Sequence, residues 1–262
     1  MALADEFDGL LIDLDGVVWV GHEMIPGSAE ALAALLDRGV EIVFVTNNPG
    51  KPVAAYIERL RDAGIPVADD RVVTAGEVTA SLAAERGGAG CTGYVIGAPA
   101  FHDTVAAAGL RLLEGEAARE AEVVLVSGHR GFDYEELLTA TLALQHGAAL
   151  FATSHDPTLP MPGGAWPGTG AVLAAVETAS GAAAEIGGKP EPHLFALARE
   201  RIAAAERVAM VGDRVSSDIE GGRRAGLETI LVLSGATSRE QAESAVPPPD
   251  HVVDDLAALV GP

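Results

Sequence analysis

The sequence predicts an α/β protein built from βαβ units around a parallel sheet, and three observations carry that expectation. Short runs rich in Val, Ile and Leu alternate with longer stretches of helical periodicity. Hydrophobic residues fill 48% of the 262 positions but aromatics only 4%, so Ala, Val and Leu must build the core. Polar residues cluster where the apolar runs end, and parallel sheets gather their sites outside the carboxyl ends of their strands.

The elements follow in order. "GLLIDLDG" (9–16) reads as a buried strand ending at a turn. Residues 28–38 read as a helix, with Ser28 as its N-cap and Gly39 past its last turn. "EIVFVTNN" (41–48) is a second strand, 52–64 a helix with Pro52 near its start, and 74–86 a third helix. A second set begins near residue 93. Strands at 93–97, 122–128 and 149–154 alternate with helices at 100–109, 133–147 and 170–180. A helix at 191–204 then precedes three short strands at 207–213, 228–235 and 251–255. "VPPPD" (246–250) is a surface loop, because consecutive prolines cannot sit inside a sheet. "PGGAWPGTG" (162–170) lacks the Lys-Ser/Thr of a Walker loop and reads as a loop leading into a helix.

Charge and composition exclude several classes. A formal net charge of −21 repels nucleic-acid phosphates, and no basic run compensates, so no nucleic-acid partner is expected. Any phosphate site must therefore carry its own local positive charge. Cys91 is the only cysteine, which rules out an internal disulfide and fits a reducing cytoplasm. The acidic start "MALADEF" has no signal-peptide pattern, and no apolar stretch approaches the roughly 20 residues of a membrane span.

Four polar clusters fall at strand ends: Asp13, Asp15 and Gly16; Thr46, Asn47 and Asn48; Lys189; and Gly212, Asp213, Ser217 and Asp218. Any one could be an ordinary turn. Together they assemble carboxylates, amides, a hydroxyl and one ammonium. Asp13 and Asp15, two apart in an extended chain, face the same way and repel unless a divalent cation or a shared proton intervenes. Oxygen ligands without a His/Cys cluster suit magnesium better than zinc. Lys189 stands out because only two of the 17 basic residues are lysines, the other being Lys51. A chain that otherwise uses Arg places a compact ammonium among glycines.

"LLIDLDGVVW", "FVTNN", "GKP" and "MVGDRVSSDIEGG" resemble the four ordered motifs of the haloacid dehalogenase-like superfamily. The chain is most similar to the nitrophenylphosphatase (NagD-like) branch, named for a sugar-phosphatase of the N-acetylglucosamine pathway. Its segment 151–172 is similar to the characteristic segment of that branch's cap. The branch more often reads Thr-Asn-x-Asp where this chain has Thr153, Ser154, His155 and Asp156, and Thr where Ser217 stands.

The resemblance implies a doubly wound, Rossmann-like core at 1–80 and 186–262, with an α/β cap domain inserted at 81–185. It implies a magnesium-dependent phosphatase of a small phosphorylated metabolite. Asp13 is then the nucleophile, and Asp15 the acid and base. Lys189, Thr46 and Asn47 hold the phosphoryl group, the last two just ahead of a helix N-terminus. Magnesium is held by Asp13, Asp213 and the carbonyl of Asp15, with Asp218 and Ser217 in support. Asn48 and Pro49 from the core, and His155, Asp156 and Leu159 from the cap, are expected to shape specificity. A homodimer through the caps is implied as well. Trp19 reads as packing, and Trp166 as either packing or contact.

Three rivals stay open at this point. A metal-free dehalogenase has no need of Asp15. A phosphomutase usually carries a small cap soon after the first motif, where this chain leaves little room. A phospho-accepting regulatory module explains the acidic cluster and lysine but not the length.

Overall fold

Leu10 and Ile12 are buried on one side of their strand and Leu11 on the other. Successive side chains of an extended chain point to opposite faces, so a strand apolar at every position needs cover on both sides. In the computed structural model, which describes residues 2–261, helices provide that cover. Ser28–Asp37 and Val53–Asp62 bury Leu32, Leu35, Ile57 and Leu60 on the face of Leu10 and Ile12. Ala75–Gly87 and Pro192–Glu200 bury Val78, Leu194 and Phe195 on the face of Leu11.

The six-stranded sheet is parallel throughout. Its order from edge to edge is His251–Val253, Glu228–Val232, Val208–Gly212, Gly9–Asp13, Glu41–Thr46 and Val72–Thr74. The chain winds outward from Gly9–Asp13 in one direction, then returns to Val208–Gly212 and winds outward in the other. The switch point between those two strands opens a crevice at their carboxyl ends, and Asp13 and Asp213 lie there.

A second parallel sheet of five strands has the order Glu185–Ile186, Ala149–Ala152, Val123–Val126, Thr92–Ile96 and Arg111–Leu112. It too is covered on both faces. Tyr134–Gln145 and Thr169–Ser180 pack on Val124 and Val126, while Pro99–Ala107 and the later turns of Ala75–Gly87 pack on Leu125 and Phe151. Ala75–Gly87 thus serves both sheets, with Ala75 and Val78 in one core and Ala80 and Ala83 in the other. Ile186 pairs with Ala152 on the edge of the second sheet.

Several local features differ from the sequence reading. Ser28 is not the N-cap: Gly27 takes that place in a left-handed conformation, and Ser28 Oγ donates to the carbonyls of Val18 and Ile25. The helix expected over 191–204 ends at Glu200. Two antiparallel hairpins were not anticipated, Trp19–Val20 with Glu23–Met24 and Thr158–Met161 with Gly164–Pro167. In the second, the strand Gly164–Pro167 lies within the stretch 162–170 expected to be a plain loop. Its strands bury little, so they carry no apolar signature, and their prolines read as loop.

Candidate active site

Asp13 closes its strand and is buried. Lys189, also buried, reaches it from the Gly187 and Gly188 turn: Lys189 Nζ donates to Asp13 Oδ1 at 2.6 Å and pairs with Asp218 Oδ1 at 2.7 Å. The approach requires bare backbone. A Cβ on Gly188 would run into the Thr153 carbonyl and Asn47, and one on Gly187 into Thr79. Asn47 fixes the turn from the other side, with Oδ1 accepting from Lys189 N at 2.8 Å and Nδ2 donating to Lys189 O at 3.0 Å.

Asp213 and Asp218 complete the acidic floor. Asp213 Oδ2 accepts from Ala236 N at 2.6 Å, and Asp218 Oδ2 from Arg214 N at 3.0 Å. Gly16 and Gly235 leave the space that the Asp213 carboxylate fills, and Gly212 leaves that of Asp218. One carboxylate oxygen from each of Asp13, Asp213 and Asp218 lies within 4.8 Å of the other two.

Three carboxylates with one ammonium leave two negative charges uncompensated in a buried space. Burial, reinforced by Asp218 and Asp213, pushes the Asp13 carboxyl well above its usual range despite Lys189. Burial and Asp218 push Asp213 up to about 7. Burial opposes the charge on Lys189, but Asp13 and Asp218 outweigh it, and the net direction is upward. A hard divalent cation meets both the oxygen-only donor set and the missing charge.

Asp15 lies beside these three carboxylates. Trp19 Nε1 donates to its Oδ1 at 3.1 Å, and Asn48 Nδ2 makes a longer approach of 3.5 Å to Oδ2. The Trp19 ring is buried beneath the Arg59 guanidinium, 3.9 Å from the ring centroid, and stacks in parallel with Tyr56. Burial raises the proton affinity of Asp15, and the Trp19 and Asn48 donors partly offset this.

A cavity of about 750 Å³ stands over these groups. Its floor holds Asp13, Asp15, Thr46, Asn47, Asn48, Lys189, Asp213 and Ser217. The second sheet and its hairpin supply Arg130, Asp156, Leu159 and Trp166 to the walls. Asp156 joins the two parts: its Oδ2 accepts from Asn47 Nδ2 at 2.7 Å, and its Oδ1 lies 3.6 Å from Arg214 Nε. Arg214 also donates to the Thr158 carbonyl at 3.0 Å, holding the hairpin over the floor.

Two expected specificity residues stand elsewhere. His155 is exposed and outside the cavity lining, and Pro49 is buried against Gly76. The helix expected just after Thr46 and Asn47 starts only at Val53, so its N–H groups are not at those residues. The Asn47 side chain is committed to Lys189 and Asp156. Sequence reasoning missed Arg130, Arg214 and the donor role of Trp19. The Arg beside Asp213 and the Trp closing the first motif were the signals that could have marked two of them.

A carboxylate-rich switch point with one buried ammonium, enclosed beneath a second α/β layer, defines a hydrolase of the α/β class. The chain belongs to the haloacid dehalogenase-like hydrolases, whose family model matches residues 10–111, and a second, HAD-hydrolase-like model matches 186–259. It is 34% identical over 256 residues to an acid sugar phosphatase of Staphylococcus saprophyticus, covering 97% of each chain. A glycerol phosphate phosphatase from Mycobacterium tuberculosis, solved in complex with magnesium, superposes with a TM-score of 0.88 at 34% identity, over 99% of this chain and 78% of that one. NagD from Escherichia coli K-12 superposes with a TM-score of 0.82 at 30% identity, covering 95% and 97%. The structural neighbours thus include the branch whose motifs the sequence carries.

Proposed function

We propose that this chain is a magnesium-dependent phosphatase of a small sugar, polyol or similar phosphomonoester, working through a phosphoaspartate on Asp13. One observation carries the reading. Lys189 Nζ sits between Asp13 and Asp218 at 2.6 and 2.7 Å, at the switch point of the sheet and beneath the cavity. That contact orients Asp13 and favours its ionised, nucleophilic form.

In the first half-reaction, Asp13 attacks phosphorus while Asp15 gives its proton to the departing ester oxygen. In the second, Asp15 takes a proton from water, which attacks the phosphoaspartate and releases phosphate. Lys189 and Thr46 receive the phosphoryl oxygens, and Asn47 acts through its grip on the Lys189 backbone. Asp13, Asp213 and the Asp15 carbonyl, with Asp218 and Ser217 beside them, would hold magnesium, which when bound would supply positive charge against the transferring phosphoryl group. Segment 81–185 forms the cap, and Asn48, Asp156 and Leu159 line the space for the ester group. The relatives named acid sugar phosphatase and D-glycerol 3-phosphate phosphatase support a small sugar or polyol substrate.

A cytoplasmic location fits the lone, buried Cys91, and no helix among the described residues is long and apolar enough to cross a membrane. The resemblance extends to a homodimer through the caps, which sedimentation of the purified chain tests. The reaction is tested by phosphate release from p-nitrophenyl phosphate with magnesium and with EDTA, for wild type and Asp13→Asn. Magnesium-dependent release that disappears in Asp13→Asn is the expected result. Release that persists in the variant would remove Asp13 from the role assigned to it.

A further inference from the structure

Arg130 is a cavity cation without a counter-charge. Lys189 is held by Asp13 and Asp218, and Arg214 by the Thr158 carbonyl and Asp156. Among the described residues, Arg130 has no ion pair and donates no hydrogen bond to the protein; its one close partner is the Trp166 ring, 4.5 Å from guanidinium carbon to centroid. Arg130 is exposed to solvent among the residues that line the cavity, so in a chain of net charge −21 its donors stand open to an anionic ligand there.

The loop that presents Arg130 is fixed. Gly128 N donates to Thr169 Oγ1 at 2.9 Å. Gly131 N donates to His129 Nδ1 at 3.3 Å, and His129 Nε2 lies 2.9 Å from Glu136 Oε2. His129 is thus a strut on either side of which the backbone is tied. Stacking on indole occupies the face of a guanidinium and leaves its in-plane N–H groups free, the geometry that receives a carboxylate through two parallel hydrogen bonds. The floor already answers the charge of a phosphate through Lys189 and the proposed cation. Arg130 belongs instead to the wall contributed by the second sheet.

We infer that Arg130, steadied by Trp166, forms a subsite for a carboxylate at the end of the substrate remote from its phosphate. The substrate class is then a phosphomonoester of a small hydroxy acid. The inference rests on the phosphatase reading and narrows it.

Two matched pairs test it: 3-phosphoglycerate against glycerol 3-phosphate, and 6-phosphogluconate against glucitol 6-phosphate. Within each pair a carboxylate replaces a terminal hydroxymethyl group. The readout is the ratio of kcat/KM, acid over polyol, which is independent of the folded fraction of a preparation. For wild type we expect a ratio of about tenfold or more in at least one pair. In Arg130→Gln that ratio falls toward one. Trp166→Leu, which removes the stack but keeps the charge, lowers it as well. A wild-type ratio of one or less in both pairs overturns the subsite, as does a ratio that survives Arg130→Gln. Hydrolysis of p-nitrophenyl phosphate with neither acid turned over overturns it too. No hydrolysis of any of the five esters by wild type would instead defeat the phosphatase reading itself.

Discussion

Trp19 owes its place to packing, yet its one polar side-chain atom faces Asp15, the proposed acid. Its ring fills the space between Arg59 and Tyr56, while Nε1 donates to Asp15 Oδ1. Trp19→Phe keeps an aromatic in that stack and removes only the donor. Proton transfer from a positioned acid contributes about 10²–10⁴-fold, so its misplacement is expected to cost on the order of tenfold in kcat on an alkyl phosphate. p-Nitrophenyl phosphate, whose leaving group needs little protonation, is expected to lose clearly less. Equal losses on the two esters would reduce Trp19 to a packing residue. The same residue shows how far a sequence reading reaches. A Trp next to a motif gives no sign of where its N–H points, whereas Asp13, Asp15, Lys189 and Asp213 were legible because strand ends are where such groups converge.

The hairpin of Thr158–Met161 and Gly164–Pro167 stays over the site through few contacts. Asp156 is central to them, accepting from Asn47 and lying beside Arg214, which itself holds the Thr158 carbonyl. Removing a half-buried partner from such a network costs on the order of 1 kcal/mol. Asp156→Ala is therefore expected to speed amide exchange across the hairpin and to raise KM severalfold more than it lowers kcat. Exchange rates equal to wild type would show that the hairpin is held by other means. Elements of this kind are poorly legible. The sheet strands announce themselves by burial, as Leu10, Leu11 and Ile12 do, but a ribbon containing Pro160 and Pro167 has no apolar alternation and only Thr158 and Trp166 as strand formers. Ser28 misled for a different reason: a serine at a helix start is a cap only when its oxygen faces the helix, and here it faces Val18 and Ile25.

For the whole molecule, the acidic floor links stability to pH and metal. Without a cation, the folded state raises Asp213 from an ordinary 3.8 to about 7. A carboxyl raised on folding favours the fold while it is protonated. That contribution is whole below the unfolded value and is lost as pH rises through the folded one. Magnesium binds the ionised carboxylates and offsets the loss. The rise in Tm on adding magnesium is therefore expected to be larger at about pH 8 than at about pH 5, where protons compete for the same oxygens. Comparing the shift, rather than Tm itself, removes the background repulsion of a chain of charge −21. A magnesium shift equal at both pH values would disconnect the floor from the metal.

Where the chain leaves the first sheet and where it returns, the two segments touch. Thr79, on the outgoing helix, lies so close to Gly187, on the way back, that a side chain at Gly187 could not fit. Thr79 also reaches the Ala152 carbonyl, to which Gly187 N donates. The path of the six-stranded sheet therefore nearly closes on itself without the intervening hundred or so residues. In terms of chain path, the second sheet enters and leaves through one narrow contact. Changes within that second sheet need not shift a strand of the sheet that carries Asp13.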